Sequence, residues 1–487
     1  MLSISKNTLY KILILIICLF GFILRLKTYL IARPLWHDES SLACSIVNRG
    51  LFDYFSPLEF IQMAPPFFMM GVELITKFLG EAELALRLLP FLCGVASIFL
   101  FYELSTKIFK KPFSILLANF LFAINYNLIY YTQEFKQYSA EVLVILISAL
   151  IFSKLDLKNL SIKNVLICSF LSVMLIFFSY TSFFVIAGFI ASNIFPIKKE
   201  SIKKALIYIV PIALSGFLYY LLMLSPAKDL VINSCGFYWE EGFVKLNIKS
   251  ISRVLDLVFS YTFLPNTYSP LVIFAPLAGI YLLIKENTQL NKIILATAGM
   301  AVIVSALHLY PIKDRLSLYL VPLIIIFTVK SLDFDFKKRK IIAVIIFISL
   351  ASNFYHYDLK YLKDFFGKNI FQEFDAKTSL QFIAKHYKPT EIFVYNGISD
   401  SDYEYYKNYF NFEPTKTIKL DPERKPESDY IKKLEKLERN KTYWFYYPHD
   451  SIIRKQESAY VKDWLKSKNI EYKEYKYVRS RVIHTHL

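Results

Sequence analysis

The chain has 487 residues, 55% hydrophobic and 17% aromatic, with a formal net charge of +17. Its mean hydropathy is +0.39, and apolar stretches of bilayer-crossing length recur through residues 9–356, which excludes a soluble globular enzyme. Much of the positive charge lies in short loops between apolar runs, where it orients helices and requires no polyanion, so no nucleic-acid partner is expected.

In chain order, Leu9 to Ile31 is too long for a signal-peptide core and lacks a small-residue cleavage site, which makes it a retained anchor. About eleven membrane helices are predicted, near 9–31, 84–106, 113–131, 138–154, 163–178, 181–197, 204–224, 269–285, 291–309, 316–330 and 339–356. Basic clusters at Lys107/Lys110/Lys111, Lys154/Lys158, Lys198/Lys199/Lys203/Lys204, Lys285/Lys292 and Lys337/Lys338/Arg339/Lys340 fall at alternate ends of these helices. One orientation puts all of them in the cytoplasm, with the N-terminus inside and the C-terminus outside the plasma (inner) membrane. Two long external loops result, 32–83 and 225–268. The first contains Trp36-His37-Asp38-Glu39 and Pro65-Pro66, then an apolar stretch, Phe67 to Leu79, that ends at Gly80 and reads as a short interfacial helix. The second carries Cys235-Gly236-Phe237-Tyr238-Trp239-Glu240-Glu241, whose aromatics suit the headgroup layer. Five cysteines show no CxxC or disulfide spacing and read as packing residues.

Near residue 370 the composition turns polar. Helices near 374–387, 401–410 and 452–468 alternate with strands at 392–395, 443–447, 470–477 and 480–486. That order predicts a small extracytoplasmic α/β domain over 369–487, following a membrane domain over 1–368. It contains no Gly-rich phosphate loop and no metal-ligand spacing, and no metal residues are assigned.

Asp38 and Glu39 are adjacent carboxylates at a membrane rim, where unpaired charge is costly. One reading makes Asp38 a general base; the other makes the pair the cap and first-turn acid of a helix running to Arg49 and stopped by Gly50. Further polar residues are expected on the same membrane face. Glu134, Tyr138 and Glu141 have helical spacing, with Glu141 inside an apolar span, where an acid should face a cavity. Arg25, Arg87, Lys136 and Arg315 lie where the positive-inside bias does not require them and are candidates to grip a lipid phosphate. Simple alternatives are snorkelling for Arg25, interface anchoring for Arg87 and pairing with Asp314 for Arg315.

The ordered set Leu24-Arg25-Leu26, Trp36-x-Asp38-Glu39, Pro65-Pro66, Leu86-Arg87-Leu88, Glu134-Phe135-Lys136-Gln137-Tyr138, Tyr180-Thr181-Ser182 and Tyr310-Pro311-x-x-x-Arg315 resembles bacterial family 39 glycosyltransferases. These belong to the GT-C group with protein O-mannosyltransferases and the aminoarabinose transferase of lipid A. The resemblance implies a polytopic α-helical GT-C membrane fold and a donor sugar on polyprenyl phosphate. It also implies transfer to a lipid, glycan or protein hydroxyl on the extracytoplasmic face. Asp38 inherits the base role and Glu39 a supporting one; Lys136, Arg315, Arg87 and Arg25 serve the donor phosphate, and Glu134, Tyr138, Glu141, Tyr180 and Tyr310 line the cavity. No cofactor is fixed, though a divalent cation is compatible. The chain departs from the family at Lys136, usually Arg, at Ser182, often His, and at Met63-Ala64, where aminoarabinose transferases carry an acid-base pair. A transporter or lipid flippase is the rival class, because intramembrane charges also mark transport paths.

Overall fold

Each predicted apolar segment is helical in the computed structural model, which describes residues 6–194, 199–226, 238–263, 270–334, 340–355, 375–396, 400–420, 427–450 and 457–487. Cys235-Gly236-Phe237, Lys198 and Lys337-Lys338-Arg339 lie outside the described residues. The chain divides into two compact units that cut across the sequence order. One comprises Met1–Ile31, Leu51–Pro57 and Met63–Lys368; the other joins Ala32–Gly50 and Leu58–Gln62 to Asn369–Leu487.

The first unit is a multi-pass membrane assembly. Among the described residues five helices are long and apolar enough to cross a bilayer: Thr8–Leu30, Glu83–Ile108, Ile202–Met223, Gln289–Ala306 and Asp314–Asp333. A bent pair, Pro112–Ile124 and Tyr126–Gln133, makes a sixth if taken as one span. Tyr138–Phe152, Ile162–Phe178, Ser182–Asn193 and Lys340–Leu350 are apolar but shorter.

The pair bends by 51°, at Asn125. Backbone groups freed by a break inside a membrane need partners, because lipid offers none. Asn125 accepts from Leu128 N at 2.9 Å and donates to Thr262 O at 2.7 Å, while Asn127 donates to Tyr261 O at 2.6 Å. Those last two acceptors belong to a helix, Ile248–Phe263, in what the sequence suggested was a loop. Its buried Val254, Val258, Phe259 and Thr262 recur at helical spacing, and Lys249 and Arg253 face outward. At another helix end the buried Lys330 donates to Ile108 O at 2.6 Å and pairs with Glu286 at 2.9 Å and Asp333 at 3.0 Å. Lys110 also pairs with Glu286 at 2.8 Å, so three helix termini meet on a cluster of two cations and two carboxylates. The helix expected at the interface is observed as Pro66–Leu79, with proline at its first turn and Gly80 at φ +79° as its stop.

In the second unit a five-stranded sheet has the order β2-β1-β3-β5-β4, where β1 is Ile392–Asn396, β2 Thr417–Leu420, β3 Thr442–Tyr447, β4 Tyr472–Tyr477 and β5 Ser480–His486. β1 pairs in parallel with β2 and β3; β5 runs antiparallel to both β3 and β4. Side chains alternate across the sheet. Ile392, Val394, Tyr443, Phe445 and Tyr447 pack in one core with Leu434, Val461 and Leu465 from the helices Glu427–Glu435 and Glu457–Ser467. On the other face Phe393 meets Tyr403 at 5.0 Å, and the Tyr446 hydroxyl donates to Ala376 O at 2.9 Å. These residues bring in the helices Asp400–Phe410 and Ala376–His386.

Candidate active site

In the second unit the sequence Trp36-His37-Asp38-Glu39 starts a helix, His37–Asn48, with Arg49 and Gly50 following it. The two carboxylates have separate surroundings. Glu39 is fully buried: its Oε2 lies 3.2 Å from Arg33 Nη1, itself buried, and accepts from Trp36 N at 3.4 Å. Glu39 therefore closes the helix start. Asp38, the second helical residue, is only partly buried and lies in the first turn of the helix.

The helix packs on the helix Asp400–Phe410. Leu35 N donates to the Tyr406 hydroxyl at 2.7 Å, Ser40 Oγ to Asp402 Oδ1 at 2.6 Å, and Cys44 Sγ to Ser401 O at 3.4 Å. At its far end Ser45 and Arg49 both bind Glu59, with Arg49 Nε 2.8 Å from the carboxylate. Burial raises the Glu59 carboxyl, but these bonds outweigh burial and hold it below its ordinary value. Asp402 behaves likewise. Burial alone would raise it, but His449 and His37 hold it well below the usual carboxylate range. His449 Nε2 is 2.6 Å and His37 Nδ1 3.7 Å from Asp402 Oδ2.

In the membrane unit Arg25, Arg87, Glu134, Lys136, Tyr138 and Glu141 are all buried. Glu134 is not on the helix that begins at Tyr138; it follows a short turn, Tyr131–Gln133, in extended conformation. The expected stripe of Glu134, Tyr138 and Glu141 thus keeps only its last two members. Just after that turn Lys136 N donates to Glu134 O at 2.7 Å. Tyr138 sets its ring edge-on to Tyr131 at 5.2 Å. Glu141 is within electrostatic reach of Tyr180, Tyr310 and Tyr319. Phe184 stacks on Tyr319 at 5.1 Å and meets Tyr310 edge-on at 5.5 Å, and the Tyr180 hydroxyl bonds that of Tyr219.

The three candidate arginines differ in how they are held. Arg25 does not snorkel: its Nη1 donates to Gly21 O and Ala123 O at 3.0 Å and its Nη2 to Phe122 O at 3.4 Å. It covers the carbonyl end of the broken helix, as a cation at a helix C-terminus should. Arg87 is 1% exposed in the Glu83–Ile108 helix, so it is not an interface anchor with its head in water. Arg315 is half-buried with its guanidinium 5.7 Å from the Trp239 ring centre. Its neighbour Asp314 accepts from the Tyr238 hydroxyl. Lys313 Nζ donates to Tyr238 O at 2.9 Å, and Ile312 N to Gly242 O at 2.8 Å, so the 238–242 turn is laid on the 310–315 loop.

Sequence reasoning did not single out Arg33, Asp402 or His449. An arginine before Pro34 at a membrane rim was a local hint for the first. For the other two there was no local signal, because their partners lie in distant stretches of chain.

No protein-family model matches the sequence, and no curated protein matches it. Among solved structures, ArnT from Cupriavidus metallidurans in the apo state is similar over 99% of this chain and 98% of that one, with 12% identity and a TM-score of 0.54. The same protein bound to undecaprenyl phosphate has the same coverage and identity and a TM-score of 0.50. An oligosaccharyltransferase from Archaeoglobus fulgidus is 14% identical over 83% of this chain and 62% of its own, but its TM-score of 0.39 carries no weight. At such identities the likeness is one of fold: the chain shares the fold of ArnT over nearly its whole length.

Proposed function

We propose that this chain is a membrane glycosyltransferase that moves one sugar from a polyprenyl-phosphate donor to a hydroxyl of a lipid, glycan or protein. The reading rests on the fold it shares with ArnT over nearly its whole length, since one structure of ArnT is bound to undecaprenyl phosphate. The buried charges of the membrane unit support it, because Arg87, Glu134, Lys136 and Glu141 are expensive to keep in an apolar assembly without a use. The pattern of basic loops supports a reaction on the extracytoplasmic face of the plasma membrane.

In the proposed reaction the acceptor oxygen attacks the anomeric carbon from the face opposite the phosphate, with inversion. The new carbon–oxygen bond forms as the bond to phosphate breaks, and the acceptor proton passes to Asp38. The transition state has oxocarbenium character, and the departing phosphate gains negative charge. Preorganised cations are worth most at that moment; Lys136 and Arg315 take this role, with Arg87 in reserve. Glu39 holds the helix start that carries Asp38. Arg25 is left out of the phosphate set because its guanidinium is spent on backbone carbonyls.

Purified protein in liposomes with a polyprenyl-phosphate sugar tests the reading. Asp38→Asn is expected to lower transfer by about 10²–10⁴-fold while donor binding survives; full transfer by this variant would end the base assignment. A transporter or flippase would move labelled lipid without forming a glycosidic bond. Paired broken helices near the midplane would favour that rival, and the described residues contain one bent pair.

A further inference from the structure

His37, Asp402 and His449 come from three separate places: the start of the His37–Asn48 helix, the first turn of the Asp400–Phe410 helix, and the turn after β3. All belong to the second compact unit. Their nearest ligand atoms, one from each residue, lie within 4.8 Å of one another. Both imidazoles approach the same oxygen, Asp402 Oδ2, at 2.6 and 3.7 Å, and their rings stand edge to face with centroids 5.5 Å apart. Ligands bound at about 2.0–2.1 Å around a tetrahedral ion stand roughly 3.4 Å from each other. The three atoms need only small side-chain adjustments to reach that spacing.

The surroundings have the features of a built site. Asp402 is fully buried, and its second oxygen, Oδ1, is fixed by Ser40 Oγ at 2.6 Å, which aims Oδ2 at the two rings. Such outer contacts orient metal ligands and tune them. Ser401 Oγ, 3.2 Å from His37 Nδ1, borders the same space. The nearby Cys44 thiol is not part of the donor set, because it is buried and donates to Ser401 O. His449 is 10% exposed and His37 36%, so the cluster opens to solvent on the His37 side, where a water can complete four-coordination.

We propose that His37, Asp402 and His449 form a divalent-cation site, and that two imidazoles with one carboxylate suit Zn(II). The ion ties the residue preceding Asp38 to the α/β domain, so it acts on Asp38 by positioning it. The site does not depend on the transferase reading, because metal binding is read without a donor sugar.

The test uses the full-length protein in detergent, stripped with a chelator and titrated with ZnCl₂ alone by calorimetry, and with Co(II) by visible absorption. About one Zn(II) per chain is expected, with tetrahedral Co(II) bands and affinity that falls as pH drops and the imidazoles protonate. His449→Gln and His37→Ala are each expected to weaken binding by tenfold or more and to erase the Co(II) bands. His386→Ala, on an exposed residue of another helix, retains both. His37 is the most exposed of the three ligands, so its variant separates loss of the site from loss of the fold, with thermal unfolding as the check. No saturable Zn(II) binding by the folded wild-type chain, or unchanged binding in both ligand variants, would overturn the proposal.

Discussion

Arg33 and Glu39 form an ion pair in which the side chains are 2% and 0% exposed. Removing one partner of such a pair leaves the other charged and buried, which costs far more than the pair contributes. Arg33→Ala is therefore expected to destabilise the second unit by roughly 3–5 kcal/mol, read as a lower unfolding temperature, and a double Arg33→Met, Glu39→Gln variant should recover much of it. The same pair settles a choice that the residue types left open. Either acid could have served the helix start, and the one that turns inward to Arg33 is Glu39. Asp38, one residue earlier, faces about 100° away on a helix, so a change at one need not disturb the other. Arg25 shows the converse. An arginine in an apolar helix is legible as costly from its neighbours alone, but its carbonyl partners at Phe122 and Ala123 are placed by the break at Asn125.

Among elements, the long apolar helices and four of the five strands of the described sheet were legible in the sequence. A long apolar run has one physical outcome in a membrane, so even the segments that break or end in 3-10 turns were recognisable. β2 went unread because it is a four-residue edge strand, Thr417–Leu420, in which Leu420 alone is buried. The helix Glu427–Glu435 was missed for a related reason: its polar sequence shows little apolar periodicity beyond Tyr430, Ile431 and Leu434. Close approach between helices is also a tertiary fact. A Cβ on Gly279 would lie 1.8 Å from Phe327 O, so the helix Phe274–Glu286 meets the backbone of Val321–Lys330 directly there. Small residues permit such contacts in membranes. The obstruction is backbone, which a rotamer change cannot relieve. Gly279→Ala is expected to cost about 1–3 kcal/mol or more, measured as reduced thermal stability in detergent, and Gly299→Ala, which meets no neighbour, should have little effect.

For the whole molecule, the unexpected feature is the grouping of Ala32–Gly50 with Asn369–Leu487. The sequence suggested a boundary near residue 368, with the first external loop attached to the helices before and after it. Tertiary contacts instead hold the Asp38 segment against the Asp400–Phe410 helix through Tyr406, Ser401 and Asp402. Deleting 369–487 would take away that support while leaving Asp38 in place. The truncated protein is expected to lose about 10²-fold or more in transfer, as misplacement of a catalytic group by an ångström can, and to be cut faster by protease within 37–48. Normal activity after deletion would show that this packing does not position the base.

The sequence by itself determined the membrane class, the position of the long apolar helices, the α/β character of the C-terminal region and the ordered motifs behind the fold resemblance. These follow from apolar length, periodicity and local residue order, which act over a few turns of chain. Only the tertiary structure decided that Glu39 pairs with Arg33, that Arg25 covers broken-helix carbonyls, and that His37 meets Asp402 and His449. Those contacts join residues remote in sequence, and which of them meet is set by the register of packed helices and strands rather than by any local preference.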